Sequence, residues 1–421
     1  MKITIHRGTD QIGGSVTEIN HNGHRLFIDF GKQLPGAKST GQLSIEGLNT
    51  GDTSKSALLL THYHQDHVGK ILETPDSLET YMGETAKEIY TLYEKRLSYI
   101  PDEEIASKHR EIVNRLSRLK TFHIGQETEI QTFKVTPLMT DHSAFDSYMF
   151  VIEADGIRIL HTGDFRGHGF RSKALFRMLH KYAQNIDYVI SEGTNIARPN
   201  AVMESESKLQ HRFIEEFRKH KYNFVITSST NIDRVFSLCH AAKDTGRLVV
   251  CDNFQDRLIK TVEKAHKQFT TFYKTQKIYP IKRNLGRKFY IGDKLFKCML
   301  NIGFCMLIRD NDAFWELISR FDKYKDQQAV YLSMWNGYVN PESSAYNQSL
   351  AEHLSRYPDY KYMHTSGHCD TTTMKEVFEK VRPKKGIIPI HTEHPEMFEK
   401  LYGNITKIYH LHDGETLDCG L

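Results

Sequence analysis

The sequence predicts an α/β protein in which one α/β domain is inserted into another. Short strand-like runs separated by turns fill the N-terminal part, a helical stretch over about 83–119 interrupts them, and more strand-like runs follow. After about residue 197 helix and strand patterns alternate regularly, which is typical of a parallel sheet. Strands and turns return near the C-terminus. We therefore predict one domain from residues 1–197 and 363–421, and an inserted domain from residues 198–362.

The elements of the first domain follow from alternating apolar residues and turn signals. "KITIH" alternates, "SVTEIN" and "HRLFIDFG" flank the turn "HNGH", and "SALLLTH" ends in a histidine-rich loop. Apolar residues at three- and four-residue spacing predict the helical stretch. "SYMFVIEADGIRILHTGD" reads as two strands about the turn "ADG", and "DYVISEGT" as another. This order indicates two sheets covered by helices.

The inserted domain shows the alternation most clearly at its start. "ESKLQHRFIEEFRKH" predicts a helix, "YNFVITSST" a strand, "NIDRVFSLCHAAKDTG" a helix and "RLVVCD" a strand. The domain ends near the apolar strand "QQAVYLSMWNG" and a helix through "SAYNQSLAEHL". At the end of that strand Trp335 could stack on a base, although packing is the more usual role of a tryptophan.

The charge is unevenly distributed along the chain. The formal net charge is +4, yet residues 257–297 carry twelve Lys and Arg against two acids. Aromatic residues, Phe269 and Tyr290 among them, are interleaved through this stretch. Such a mixture suits a surface that follows a phosphate backbone and stacks bases. A solvated face with ordinary core aromatics is an equally good interpretation.

Composition excludes several other classes of protein. Six scattered cysteines without a CxxC pair argue against a disulfide framework and against a thiolate zinc site. No apolar run approaches the roughly 18 residues of a membrane span, and the first residues lack the apolar core of a secretory signal. A cytoplasmic, reduced protein without a membrane segment is expected.

One loop concentrates side chains that bind metals. His62, His64, Asp66 and His67 lie within six residues, directly after an apolar strand. Alternation sends His62 and His64 to one side, and the next two residues can turn toward a second centre. Imidazole nitrogen and carboxylate oxygen suit zinc, with manganese or iron as alternatives.

One loop cannot complete two metal sites, so further ligands are expected at other strand ends. "MTDHSAFDS" offers His142, "ILHTGDF" offers Asp164 and "IIPIHTEH" offers His391. Each lies where an apolar strand meets a polar turn. Taken singly, each is more often an ordinary polar residue, but the ordered set is far more specific.

These motifs resemble those of a known superfamily. Asp29 in "FIDFG", then "THYHQDH", His142 and "TGDF", match in order the metal motifs of the metallo-β-lactamase superfamily. Glu192 in "VISEGTN", His368 in "TSGHCD" and His391 in "PIHTE" resemble motifs A, B and C of its β-CASP nucleases. The likeness is strongest to the ribonuclease J family, without the extra C-terminal domain of that family. The resemblance implies an αββα sandwich with an inserted β-CASP domain, and a cleft between domains that holds the metals.

The resemblance also implies a role for each motif residue. Two divalent metal ions, zinc or alternatively manganese, would be bound by seven ligands: His62, His64 and His142 for one, Asp66, His67 and His391 for the other, and Asp164 between them. Asp29 would orient the histidine loop. A metal-bridging hydroxide would attack the phosphate and leave a 5′-phosphate and a 3′-hydroxyl. Asp66, His368 and Glu192 are the catalytic candidates, with His368 protonating the leaving oxygen and Glu192 holding it.

RNA is the substrate that the resemblance implies. Histidine at motif C, here His391, accompanies the RNA-processing members of the family. Two sets of small residues could contact phosphate, Ser366 with Gly367 and Ser229, Thr230 and Asn231. Turn formation is an equally good account of them. Asp233 replaces a family histidine after the second set, and its carboxylate would repel a 5′-phosphate.

Two other functions remain open at this stage. One is a metal-dependent hydrolase of a small phosphodiester or other ester, and the other is a catalytically inactive RNA-binding subunit. A β-lactamase is disfavoured, because motifs A to C have no use there. Exonuclease or endonuclease action, and formation of a homo-oligomer, are left open by the sequence.

Overall fold

The computed structural model describes residues 1–38, 41–198, 203–265, 271–283 and 288–420. The chain divides into two compact units. Unit 1 comprises Met1–Met203 and Gly367–Leu421, and unit 2 comprises Glu204–Ser366. Helices and strands are interleaved throughout both units, so the predicted α/β class is confirmed.

Unit 1 contains two sheets. In the first, the strand order is β20-β1-β2-β3-β4-β5-β6, where the strands are β1 Lys2–Arg7, β2 Val16–His21, β3 His24–Ile28, β4 Ser56–Leu59, β5 Glu79–Gly83, β6 Lys120–Phe122 and β20 Glu415–Asp418. In the second it is β19-β11-β10-β9-β8-β7, from β7 Thr128–Ile130, β8 Phe133–Met139, β9 Tyr148–Ala154, β10 Ile157–His161, β11 Tyr188–Glu192 and β19 Gly386–Ile390. One hydrophobic core, with Ile28, Phe150 and Ile388 among its members, takes side chains from both sheets.

Helices cover the outer faces of the two sheets. They are α2 Glu84–Leu97, α3 Glu103–Ser117, α4 Ser172–Tyr182, α11 Thr371–Val381 and α12 Glu396–Tyr402, while the single turn α1 Gln65–Val68 lies in the histidine loop. A second core joins the second sheet to α4, α11 and α12, while α2 packs on β5 and α3. The resulting layers are helix, sheet, sheet and helix, which confirms the predicted αββα sandwich.

The single helical stretch predicted over 83–119 is two helices. Pro101 lacks the backbone N–H that a continuous helix would need. Asp102 then starts α3, because its side chain accepts a hydrogen bond from the Ile105 N–H at 3.1 Å. The periodic pattern predicted helix correctly on both sides of a break that it could not show.

Unit 2 is built on one largely parallel sheet, as the alternation predicted. Its strand order is β15-β14-β13-β16-β12-β17-β18, from β12 Tyr222–Thr227, β13 Leu248–Asp252, β14 Ile278–Arg283, β15 Phe289–Tyr290, β16 Phe304–Ile308, β17 Gln328–Ser333 and β18 Lys361–Tyr362. Among the described strands of this unit, β15 alone pairs antiparallel. The helices are α5 Glu206–Lys219, α6 Ile232–Asp244, α7 Asn253–Ala265, α8 Asp293–Ile302, α9 Asp312–Ser319 and α10 Gln348–Ser355.

The basic stretch 257–297 runs from α7 through β14 and β15 into α8, and its residues 266–270 and 284–287, with Phe269, lie outside the described part. Tyr273 and Phe289 are buried, whereas Tyr290 is exposed. The stretch therefore contains buried aromatic residues, as core packing predicts, and an exposed one, as a base-stacking surface requires. Across the described ranges, no helix combines the length and apolar character that crossing a bilayer requires.

Candidate metal centre

The ends of parallel strands bring the candidate residues together. β11 pairs in parallel with β10 and with β19, so the carboxyl ends of these strands lie at one edge of the sheet. Asp164 lies three residues beyond β10, Glu192 is the last residue of β11, and His391 directly follows β19. The prediction that ligands recur at strand ends agrees with this geometry.

The histidine loop reaches the same place from the first sheet. It leaves β4 and turns into the single-turn helix α1, which contains Asp66 and His67. The backbone after β3 runs directly against that turn, and the Phe30 N–H donates to the His67 carbonyl at 2.8 Å. A Cβ on Gly31 would lie 1.6 Å from the Asp66 carbonyl oxygen, so only glycine fits this approach.

The ligand candidates form closely spaced groups. Within each group the donor atoms lie within 4.8 Å of one another, and the groups are His62 with His64 and His142, Asp66 with His67 and His391, His62 with His67 and Asp164, and Asp164 with Glu192, His368 and His391. The first two groups are the two ligand sets that the sequence predicted. The third connects them through the aspartate.

Asp164 lies between the two predicted ligand sets. Its Oδ2 is 3.8 Å from His62 Nε2 and 3.9 Å from His142 Nε2 on one side. On the other side it is 3.2 Å from His67 Nε2, and its Oδ1 is 3.9 Å from His391 Nδ1. The Asp164 carboxylate therefore lies within 4 Å of donor atoms from both predicted ligand sets.

The electrostatics of the first set suit metal binding. Burial lowers the pKa of His64 to about 4, and it holds the pKa values of His62 and His142 well below the ordinary value. Neutral imidazole is the form that binds a metal. These three side chains therefore have a nitrogen lone pair available at neutral pH.

The second set differs because carboxylates surround it. Although burial opposes its charge, Asp164, Asp66 and Asp29 raise the pKa of His67 well above the ordinary value. The histidines in turn outweigh burial and hold the pKa of Asp164 well below its usual range. A metal that binds His67 must displace a proton, so its affinity there falls as the pH decreases.

Two buried atoms indicate that a cation fits here. Among the described residues, His62 Nε2 and Asp164 Oδ1 are buried and have no hydrogen-bond partner. A buried polar atom without a partner costs about 1–3 kcal/mol. Nitrogen and oxygen donors facing one another across this space match the ligand preferences of zinc and manganese.

Asp29 lies behind the histidine loop. Its Oδ1 accepts the Thr61 N–H at 2.7 Å, and its Oδ2 accepts the Thr61 hydroxyl at 2.8 Å and pairs with His67 Nδ1 at 2.7 Å. Asp29 has φ +62° and His391 has φ +51°, a region that side chains other than glycine rarely adopt. Such backbone strain is frequent at functional sites.

Glu192 and His368 form a pair beside the donor groups. His368 Nδ1 is 3.1 Å and 3.0 Å from the two Glu192 carboxylate oxygens and 3.7 Å from Asp164 Oδ2. Burial opposes the charged imidazolium, yet Glu192 and Asp164 outweigh it and raise the pKa of His368 to about 9. His368 can therefore hold a proton at neutral pH.

The predicted phosphate contacts divide between the units. Gly367, in unit 1, accepts a hydrogen bond from His142 Nδ1 at 2.7 Å through its carbonyl, so it orients a ligand candidate. Ser366, Ser229, Thr230 and Asn231 belong to unit 2. The Asn231 side chain caps α6 by accepting the Arg234 N–H.

Ser229 and Thr230 also have partners within unit 2. Ser229 Oγ accepts a hydrogen bond from Arg309 Nη1 at 2.9 Å, and the Thr230 hydroxyl is 3.1 Å from that of Ser228. Asp233 is buried and hydrogen-bonded by the Tyr273 hydroxyl. The contacts of Thr230 and Asn231 are local, as turn formation predicts, whereas Ser229 is held by a distant arginine. Phosphate binding by Ser229 to Asn231 stays a prediction.

Several residues at the site escaped the sequence interpretation. Thr194 Oγ1 is 2.9 Å from His391 Nδ1 and 3.2 Å from His368 Nδ1. Asn195 Nδ2 donates to the carbonyls of His368 and Cys369 at 3.3 and 3.1 Å. Both belong to the motif "VISEGTN", in which the sequence interpretation gave a role only to Glu192.

Two further residues act on the backbone of the ligand loops. Arg171 is buried and donates to the carbonyls of His142 and Ala144. Asp413 Oδ1 accepts the N–H groups of Gly8 and Thr9 at 3.0 Å each. The Gly8 carbonyl accepts the His391 N–H at 2.6 Å. No motif marks either side chain, since each is distant in sequence from the residue that it holds.

Replacing Thr194 tests whether this hydroxyl supports the site. Thr194→Val keeps the shape but removes the hydrogen bonds to His391 and His368, and we expect metal affinity or activity to fall about 10- to 100-fold. Thr194→Ser should retain most of both. Metal content after dialysis and kcat/KM on RNA are the measurements. Thr4→Val, at an exposed hydroxyl pair, is the matched control, and an equal loss in that variant would contradict the assignment.

The fold and the donor groups define the class of protein that this chain resembles. An αββα sandwich whose sequence is interrupted by a second α/β unit, with histidine and aspartate groups at the strand ends, is typical of β-CASP proteins in the metallo-β-lactamase superfamily. A crystal structure of a protein of unknown function from Enterococcus faecalis V583 matches 99% of both chains with a TM-score of 0.72 and 17% sequence identity. That likeness supports the fold. No family model matches the chain.

Named relatives narrow the resemblance. Ribonuclease J of Helicobacter pylori is 21% identical over 100% of this chain, and ribonuclease J of Mycoplasma genitalium is 24% identical over 59% of it. The chain spans 61% and 43% of the lengths of these two proteins. Cleavage and polyadenylation specificity factor 73 of Drosophila melanogaster is 24% identical over 37% of this chain and 22% of its own length. The predicted resemblance to β-CASP proteins, ribonuclease J among them, is confirmed.

Proposed function

We propose that this chain is a metal-dependent ribonuclease that hydrolyses phosphodiester bonds and leaves a 5′-phosphate and a 3′-hydroxyl. The observation that carries the proposal is the Asp164 carboxylate, which lies between two histidine-rich donor sets and beside the Glu192–His368 pair. The relatives named ribonuclease J support RNA as the substrate. The six cysteines are unpaired, which suits a reducing cytoplasm.

The two donor sets would hold two divalent ions, with zinc favoured by the histidine content and manganese as the alternative. One ion would be held by His62, His64 and His142, the other by Asp66, His67 and His391, and Asp164 would contact both. Bound divalent ions at such a site lower the pKa of coordinated water and neutralise charge on a phosphoryl group. Asp29 would fix the His67 ring through its Nδ1 hydrogen bond.

The residues of the chain then account for the fate of the leaving group. Hydrolysis breaks the bond between phosphorus and the 3′-oxygen, and that oxygen must gain a proton. His368 holds a proton beside the donor groups, and Glu192 fixes the ring through both carboxylate oxygens. Glu192 is itself fixed, because its Oε1 accepts the Phe165 N–H at 2.8 Å. We assign His368 as the general acid and Glu192 as the residue that orients it.

Glu192→Gln should change the pH dependence. The carboxylate raises the pKa of His368, so its removal lowers that pKa and the general acid loses its proton at a lower pH. Wild-type kcat should fall as the pH rises toward about 9, where His368 loses its proton. Bound dications disfavour the charged imidazolium, so the fall begins at or below that pH. The variant should begin its decline at a lower pH. Identical alkaline limbs in pH profiles of kcat for the two proteins would contradict the assignment.

Metal stoichiometry and substrate choice test the proposed function together. Chelated protein is titrated with Zn²⁺ or Mn²⁺ by calorimetry, and two ions per chain are expected. The loaded protein is then given an RNA oligonucleotide or a small activated phosphodiester. RNA cleavage with the larger kcat/KM supports the proposal. Full metal loading with turnover of the small diester alone would favour the small-ester hydrolase instead.

A further inference from the structure

Trp335 is an exposed aromatic residue in a rigid setting. It follows the carboxyl end of β17, and 48% of its surface is exposed, whereas Trp315, the other tryptophan of the chain, is 4% exposed. A short 3₁₀ turn, Asn336–Tyr338, begins directly after it. A single exposed aromatic residue needs no explanation, but the way this ring is held sets it apart.

Gly337 supports one part of the ring. A Cβ at Gly337 would lie 2.4 Å from the Cη2 atom of the indole, so the six-membered ring lies directly over this glycine. Tyr338 packs edge-to-face against Trp335, with 5.8 Å between ring centroids. The ring is therefore oriented before any ligand arrives, which reduces the entropy lost on binding.

The segment that carries the ring is anchored at both ends. The Asn347 N–H donates to the Tyr338 carbonyl at 2.8 Å, and the Asn347 side chain caps α10 through the Leu350 N–H at 3.0 Å. Residues 334–347 contain one charged side chain, Glu342. A ligand held here would be bound by stacking and hydrogen bonds, and not by charge.

A second exposed ring lies on the neighbouring strand. β17 and β18 are parallel, with Leu332 opposite Tyr362, and Tyr362 is 44% exposed. Adjacent strands lie about 4.8 Å apart. Tyr362 is the last residue of β18 and Trp335 lies two residues beyond β17, so both residues are at the carboxyl ends of neighbouring strands. Aromatic residues on a rigid edge are the usual means of holding unpaired bases, since every base offers a π-face.

We infer that Trp335 stacks on an unpaired base of the RNA, with Tyr362 as a neighbouring contact, an inference that rests on the proposed ribonuclease function. Binding through this ring is independent of base identity and nearly independent of salt, because the segment contributes little charge. The phosphate contacts, by contrast, weaken as the salt concentration rises. Single-stranded RNA is the expected ligand, since bases in a duplex are already stacked on one another.

Fluorescence provides a direct test. Chelated wild-type protein, which cannot cleave, is titrated with a single-stranded RNA 12-mer and with an abasic oligonucleotide of equal phosphate count. Stacking should quench the fluorescence of Trp335 and leave that of buried Trp315. Trp335→Ala should weaken RNA binding about 10-fold, with no change for the abasic oligonucleotide. Trp335→Phe should retain most of the affinity, and Gly337→Ala, which displaces the ring, should behave like the alanine variant.

The control is Tyr99→Ala, which removes an 83% exposed ring from unit 1 and should leave RNA binding unchanged. Equal RNA affinity of Trp335→Ala and wild type would overturn the inference. A change in oligomeric state of Trp335→Ala by sedimentation would also overturn it, because the ring would then pack against a second copy. RNA cleavage by metal-loaded wild type is measured on the same preparation. Cleavage without a Trp335 effect leaves the nuclease proposal standing, and a Trp335 effect without cleavage leaves the stacking standing.

Discussion

Asp164→Ala should abolish RNA cleavage, with kcat falling at least about 10³-fold, because one carboxylate serves both donor sets. Asp164 Oδ2 is 3.8 Å from His62 Nε2 in one set and 3.2 Å from His67 Nε2 in the other. Removing it should lower the bound metal below two ions per chain. It also removes the carboxylate that most raises the pKa of His67, so the metal left should be bound differently. Metal analysis by mass spectrometry, with kcat on the same sample, is the measurement.

The matched control is Asp10→Ala. Asp10 forms an exposed pair with Lys38 at 3.0 Å, and such surface pairs contribute about 0–1 kcal/mol to stability. This variant should keep two ions and full activity. An Asp164→Ala protein that retains both ions and cleaves RNA normally would refute the shared-carboxylate arrangement.

His368→Ala should separate proton transfer from metal binding. Loss of a general acid reduces kcat on RNA by about 10²- to 10⁴-fold, because the 3′-alkoxide is a poor leaving group without a proton. A p-nitrophenyl phosphodiester leaves as a stable anion, so its turnover should fall much less. Bound metal should stay at two ions, since neither predicted ligand set includes His368. The measurement is kcat on both substrates for wild type and variant, and the readout is the loss on RNA divided by the loss on the activated diester.

His211→Ala, at an exposed histidine of α5, is the control for the loss of an imidazole. Equal losses on RNA and on the activated diester would show that His368 acts in another way than by protonation. Loss of bound metal from His368→Ala would show instead that His368 is a metal ligand. The donor group that His368 forms with Asp164, Glu192 and His391 also permits that role.

The ligand candidates could be predicted from sequence because their placement follows local rules. An apolar strand that ends in a polar turn places its next residues at the sheet edge, and parallel strands put those edges together. His62, Asp164 and His391 all obey this rule. The β–α alternation of the inserted unit could also be predicted, since its central strands β12 and β16 are largely apolar runs that are buried throughout.

The supporting contacts could not be predicted in the same way. Thr194 meets His391 across 197 positions, and Arg171 holds the His142 carbonyl from a different loop. These contacts depend on how the loops pack, which no local pattern records. The contact of Trp335 with Gly337 likewise depends on the local backbone direction and not on residue spacing. The break at Pro101 is different, because a proline followed by a capping aspartate is a local signal that the sequence does carry.

The most direct test of the account is a cleavage time course on one single-stranded RNA, labelled separately at its 5′ and 3′ ends. Zinc- or manganese-loaded wild type is compared with Asp164→Ala and with a DNA of the same sequence. We expect RNA to be cut into products with 5′-phosphates, DNA to be cut far more slowly, and the variant to be inactive; the two labels then distinguish release of mononucleotides from internal cuts. Intact RNA after incubation with protein that has bound both metals would contradict the account.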